Sequence, residues 1–279
     1  MIETAITVPA ADGYPLAATL REPDTTPRAF VQINSGTGIP QRFYRHFAEH
    51  LTRLGYVTVT FDYRGIGASR PTRLQDSEAT TLEWGTLDMT AVLDYGIQHY
   101  PSLPKIVVGH SMGGQLIGTM QNADRIDRTV IVAAGTGFWR DMPQGLLRAL
   151  MPVLWYVYIP LTIRLCGYAA ARKIRQGENL PRGVARQWRD WCVSSSYWEQ
   201  DFGADFIASS FGKLRGSLQS ISFSDDTIIS DVANRKLLDY YRNASVDRQV
   251  IEPATVDRRE IGHFGFFSKG SEALWGRVL

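Results

Sequence analysis

Pro104-Lys105-Ile106-Val107-Val108-Gly109-His110-Ser111-Met112-Gly113-Gly114 runs a short apolar segment into a Gly-x-Ser-x-Gly pattern. Leu116, Ile117 and Met120 then follow at helical spacing. A strand that turns sharply into a helix through this pattern is a nucleophile elbow. The turn holds Ser111 in a strained backbone conformation, so the positions two before and two after it must be nearly free of side chain. Gly109 and Gly113 supply that room. The hydroxyl is then expected at the carboxyl end of a sheet, with the Met112 N–H aimed where an oxyanion would form.

Upstream, residues 4–9 and 14–21 read as two strands around the turn Ala11-Asp12-Gly13. Ala29 to Asn34 is an apolar strand opening into Ser35-Gly36-Thr37-Gly38. Phe43, His46, Phe47, His50, Leu51 and Leu54 mark a helix, Gly55 ends it, and Tyr56 to Phe61 is the next strand. Met89, Val92, Leu93, Gly96 and Ile97 mark a helix before the elbow, and Thr129 to Ala134 a strand after it. This alternation implies βαβ crossovers and a mostly parallel α/β sheet.

The alternation stops near Gly135. Residues 136–215 are aromatic, arginine-rich and helix-like, and are expected to form a helical cap over the end of the sheet where Ser111 sits. Residues 1–135 and 216–279 make the core. Strands resume at Leu218–Phe223 and around Gln249–Ile251, with helices over Val232–Tyr241 and Glu272–Leu279.

Serine needs a base to take its proton and a carboxylate to fix the base's tautomer. With this elbow the chain order is nucleophile, acid, histidine. Of His46, His50, His99, His110 and His263, only His263 follows Ser111. It sits in the glycine-flanked loop Ile261-Gly262-His263-Phe264-Gly265. The acid belongs after the first strand that follows the cap, where Ser224-Asp225-Asp226-Thr227-Ile228-Ile229 offers two aspartates. Asp226 is the choice, with Asp225 as rival and Asp141, after the preceding strand, as a third candidate. The glycine-rich loop after the Ala29–Asn34 strand makes the Thr37 N–H the second oxyanion donor. His110 adjoins the nucleophile but points elsewhere, and reads as packing or cleft wall. Asp62, Arg64 and Ser69 read as a turn lock.

A chain of 279 residues with 44% hydrophobic residues can bury a sizeable core, and a net charge of +2 gives no case for nucleic acid. Cys166 and Cys192 make no disulfide framework, and no metal or cofactor is expected. His46 and His50, spaced i, i+4, lack a third ligand and read as core or half-buried. The first residues lack the pattern of a signal peptide, so the cytoplasm is the expected compartment. Ala149 to Ile163 is apolar but short of the ~20 residues of a membrane span. Pro152 and Pro160 interrupt it, so it reads as a buried or cleft-facing helix, and membrane contact is not expected.

Gly-His-Ser-Met-Gly-Gly and Asp62-Tyr63-Arg64-Gly65-Ile66-Gly67-Ala68-Ser69 resemble the α/β-hydrolase superfamily, in the branch of monoacylglycerol lipases and serine aminopeptidase-like hydrolases. Together with Asn34-Ser35-Gly36-Thr37-Gly38 and Ile261-Gly262-His263-Phe264-Gly265-Phe266-Phe267, they are closer still to a bacterial group of α/β hydrolases without assigned substrates. The resemblance implies an eight-stranded sheet, a cap inserted after strand 6, and the triad Ser111, Asp226 and His263. Many relatives carry His-Gly where this chain has Ser35-Gly36.

The expected activity is hydrolysis of a carboxylic ester or thioester of a small apolar acyl compound through an acyl-enzyme. Amide or peptide hydrolysis and acyl transfer use the same residues, and a ligand receptor on this scaffold is the non-enzymatic alternative. Haloalkane dehalogenase and epoxide hydrolase are disfavoured, since their elbow nucleophile is aspartate. Trp139, Leu150, Trp155, Tyr158, Trp188 and Trp191 are candidates to line an acyl pocket, and could equally form the cap's own core. Arg172, Arg175, Arg182, Arg186 and Arg189 read as a solvated helix face.

Overall fold

The structure, a computed structural model, describes residues 1–278. Strands β1 (Ile2–Pro9) and β2 (Pro15–Glu22) form an antiparallel hairpin, closed by Gly13 at φ 83°. The remaining strands are β3 (Phe30–Asn34), β4 (Val57–Phe61), β5 (Lys105–His110), β6 (Arg128–Val132), β7 (Ser217–Phe223) and β8 (Ser245–Ile251). They complete one eight-stranded sheet in the order β1-β2-β4-β3-β5-β6-β7-β8, parallel from β4 to β8. This is the α/β-hydrolase fold.

The central strands β3, β4 and β5 are buried on both faces, which is why they read as near-continuous apolar runs. Their period of two divides them between two cores. Phe30 and Val107 join the cluster that also holds Met151, Trp155 and Trp191, whereas Val31, Ile33, Ile106 and Val108 pack against Phe47, Phe266 and Trp275. The strand order reverses around β3, with β4 on one side and β5 on the other. The crevice beyond the carboxyl ends of such strands is where open α/β sheets bind ligands.

Helices α1 (Arg45–Arg53), α2 (Thr90–His99) and α3 (Met112–Gln115) flank the first half of the sheet. The segment between β6 and β7 carries α4 (Leu146–Cys166), α5 (Arg182–Val193) and α6 (Glu199–Phe211). It also forms a two-residue ladder, Tyr168–Ala169 against Leu180–Pro181. Met151, Trp155, Ile163, Trp191 and Trp198 from this segment belong to the same hydrophobic cluster as the sheet face below. Helices α7 (Asp231–Leu238) and α8 (Glu272–Trp275) follow. The last is shorter than the helix expected to Leu279, which lies outside the described residues.

Two expectations about the apolar cap helix need correction. It is 21 residues long, because its backbone passes through both prolines. Pro160 follows directly on a widened π turn at Leu154–Tyr158, and that widening lets the helical backbone continue past a residue that cannot donate. The helix is also buried along one face only, as described below.

Candidate active site

Ser111 links β5 to α3 with φ 52° and ψ −118°, a backbone conformation that L-residues seldom adopt. The flanking glycines are explained by contact distances. A Cβ on Gly109 would lie 2.5 Å from the Gly113 carbonyl oxygen, and one on Gly113 would lie 2.4 Å from the Asn34 carbonyl oxygen. The elbow helix is thus pressed against the end of β3, which brings Ser111 beside the loop carrying Gly36 and Thr37. The Ser111 N–H donates to the Val132 carbonyl at 3.0 Å, tying the elbow to β6 as well.

Asp226 and His263 come together from loops after β7 and β8. His263 Nδ1 bonds Asp226 Oδ2 at 2.8 Å, and both side chains are almost fully buried. Asp226 Oδ1 accepts the N–H groups of Ile228 and Ile229, so the carboxylate is clamped at its other end. Asp225 has a separate task. Its Oδ2 accepts the N–H groups of Ile261 and Gly262, pinning the loop that carries His263. Asp141 pairs with Lys236 at 2.6 Å and does not bond His263.

His110 is not a cleft wall. It is fully buried, Nε2 lies 2.9 Å from the His263 carbonyl, and Nδ1 lies 2.7 Å from the Tyr44 hydroxyl. Burial, with the neighbouring His263 ring adding to it, drives the His110 imidazole down to about 3, so it is neutral at physiological pH. A carbonyl can only accept, so Nε2 carries the hydrogen and Nδ1 accepts from Tyr44. The Tyr44 oxygen in turn accepts the Gly36 N–H at 2.8 Å. A continuous chain of hydrogen bonds therefore joins the Gly36–Thr37 loop, the residue before Ser111, and the backbone of His263.

Asp62 accepts from the N–H groups of Gln41 and Ala68, and Ser69 donates to the Asp62 carbonyl. Arg64 is buried against Asp88 and Asp12. Of the spaced histidines, His46 is half exposed near Glu49, and His50 packs on Trp275.

Ser111, Thr37 and His263 open into one cavity of about 330 Å³, at the small end of ligand sites. Of the six proposed pocket residues, only Trp155 and Trp188 line it. Leu150 faces outward and is half exposed, whereas Trp191 is sealed among Tyr197, Trp198 and Phe202. Tyr158 donates its hydroxyl to the Ala170 carbonyl, and Trp139 carries the Arg140 guanidinium on its ring. The apolar wall comes instead from Phe43, Met151, Leu154 and Phe264 beside the two tryptophans. Arg175 lines the cavity too, so it is not merely part of a solvated helix face. It stands at φ 59° after a short 3-10 turn. Arg182 and Arg189 pair with Glu78 and Asp190.

Comparison with known proteins bears on this site. The family model for serine aminopeptidase (S33) matches residues 25–189, more than half of the chain. The chain belongs to this family. Ser111 lies inside the region matched to the serine aminopeptidase family, whereas Asp226 and His263 lie beyond it. The monoacylglycerol lipase of Mycolicibacterium smegmatis is 35% identical over 97 residues, 34% of this chain and 33% of that protein. Human monoglyceride lipase is 30% identical over 106 residues, 38% of this chain and 34% of that protein. The chain thus spans about a third of the length of these curated relatives. An esterase structure from Pyrococcus furiosus superposes with a TM-score of 0.60 at 16% identity, over 99% of this chain and 90% of that one.

Proposed function

We propose that this serine aminopeptidase-family protein is a serine hydrolase that cleaves a carboxylic ester or thioester of a small apolar acyl group. The observation that carries the reading is the 2.8 Å bond from His263 Nδ1 to Asp226, with His263 and Ser111 on the wall of one cavity. Asp226 fixes the tautomer that leaves Nε2 free to act as base and stabilises the imidazolium formed later. The Ser111 oxygen attacks the acyl carbonyl and gives its proton to His263. The N–H groups of Met112 and Thr37 hold the resulting oxyanion. His263 then returns the proton to the departing alcohol or thiol, and water, activated by the same imidazole, releases the acid from Ser111.

The identities of the relatives support ester chemistry, and so does the lining. An aminopeptidase substrate presents a free ammonium, which calls for a carboxylate nearby. Among the described residues lining the cavity there is no aspartate or glutamate, and the fixed charge is the Arg175 cation. The free thiols Cys166 and Cys192 suit the cytoplasm, where we place the protein.

The test is a fluorophosphonate probe followed by intact mass, with turnover of p-nitrophenyl esters of graded chain length. One adduct on Ser111 is expected, and Ser111→Ala should abolish both labelling and turnover. Undiminished ester turnover in Ser111→Ala would refute the assignment. A folded protein that neither labels nor turns over would favour a receptor.

A further inference from the structure

One side of α4 lines the cavity and packs on the rest of the segment between β6 and β7, and among the described residues the other side has no partner. Met151, Trp155, Ile159 and Ile163 recur every fourth residue and are each less than a tenth exposed. Leu146, Leu150, Val153, Val157, Leu161 and Leu165 recur at steps of three or four on another face, between 48% and 77% exposed. At ~1.5 Å per residue this stripe runs roughly 30 Å. A contiguous apolar strip of that length on a folded protein marks a contact surface.

The charge carried by this stretch of the chain says what covers it. Residues 136–175 contain Arg140, Arg148, Arg164, Arg172, Lys173 and Arg175, against the single carboxylate Asp141. That carboxylate is occupied by Lys236. Among the described residues none of the six cations is in an ion pair, and all but Arg148 are exposed. A two-fold contact between copies of this chain would set one cationic border against another. The helix cannot leave the cap to cross a bilayer without exposing the side that packs on it.

We infer that α4 is an interfacial helix that lays the Leu146–Leu165 stripe into the surface of an anionic lipid bilayer, with the arginine border on the headgroups. Apolar burial and headgroup attraction act together in such helices, and the cytoplasmic leaflet carries the negative potential that a basic border needs. The same helix then meets lipid on one side and the Ser111 cavity on the other. This surface does not depend on which bond Ser111 cleaves, because vesicle binding can be read with Ser111→Ala protein.

The experiment is sedimentation of the full chain with vesicles of phosphatidylcholine containing phosphatidylglycerol, against pure phosphatidylcholine, at low and high salt. Wild type should pellet with the anionic vesicles, more weakly with neutral ones, and less as salt rises. The triple variant Val153→Ser, Val157→Ser, Leu165→Ser should bind at least about tenfold more weakly. It should keep its circular dichroism and its turnover of a water-soluble short-chain ester. Should the triple variant misfold, Leu165→Ser alone at the helix end carries the test, with about a threefold loss expected. Arg140→Gln with Arg164→Gln and Arg172→Gln should erase the preference for anionic vesicles. Wild type that stays in the supernatant at every lipid concentration would overturn the inference, as would equal binding by the serine variants. A wild-type dimer dissolved by the same serines would overturn it by giving the face to a second copy.

Discussion

Replacing Tyr44 by phenylalanine removes one oxygen from the interior and breaks two hydrogen bonds at once. The Gly36 N–H loses its acceptor and His110 Nδ1 loses its donor, both in a fully buried setting. Each orphaned group costs about 1–3 kcal/mol, so destabilisation of roughly 2–6 kcal/mol is expected. At about 2–4 °C per kcal/mol for a large domain this is a fall in Tm of roughly 4–24 °C, and the energy lost is a large part of the ~5–15 kcal/mol that holds a typical domain folded. The functional effect follows from position. Gly36 precedes Thr37, whose N–H is the proposed oxyanion donor, and removing such a donor outright costs about 10²–10³ in rate. A donor loosened but still present should cost about tenfold in kcat with KM nearly constant. Thermal denaturation and p-nitrophenyl ester kinetics measure both. Wild-type Tm together with wild-type kcat would show that the chain through His110 neither stabilises the fold nor positions the site.

Asp226→Asn should lower kcat by about 10³–10⁴, since the amide no longer selects the working tautomer of His263. Asp225→Asn, which only weakens the hold on the Ile261 and Gly262 N–H groups, should cost about tenfold and lower Tm. Equal losses at the two positions, or the larger loss at Asp225, would reverse the assignment. Stability should also depend on pH through His110. Its imidazole titrates at about 3 when folded and near 6.5 when exposed. Below pH ~6.5 the unfolded chain takes up a proton that the folded chain does not. Stability should therefore fall as pH drops through this window, by up to about 1.4 kcal/mol per pH unit from this group. Urea unfolding of wild type and His110→Asn at pH 6.5 and 5.5 gives the two slopes, and identical slopes would refute the account.

Local crowding is what made the elbow legible. Gly109 and Gly113 are glycines because backbone atoms of the elbow helix and of β3 occupy the space of a Cβ, and a requirement that absolute leaves its mark on sequence. The same holds for β3, β4 and β5, whose burial on both faces forces apolar runs. His263 stood out as the one histidine downstream of Ser111, and the fold sets it on the wall of the same cavity. Asp225 and Asp226 were harder to separate, since both stand at the end of β7. Only the folded loop shows that one reaches the imidazole and the other the backbone at Ile261 and Gly262. The pocket was largely illegible for a different reason. An aromatic side chain in the helical segment between β6 and β7 satisfies the same pattern whether it faces a ligand or another ring. Trp191 closes on Tyr197 and Trp198, while Trp155 and Trp188, edge to face at 5.0 Å, meet the cavity. His110 is the sharpest instance, because its partners Tyr44 and His263 stand 66 and 153 residues away in the chain. Position beside the nucleophile suggests proximity to the chemistry. Its neutrality, its burial and its two hydrogen bonds instead make it the strut between the Gly36–Thr37 loop and the loop that carries His263.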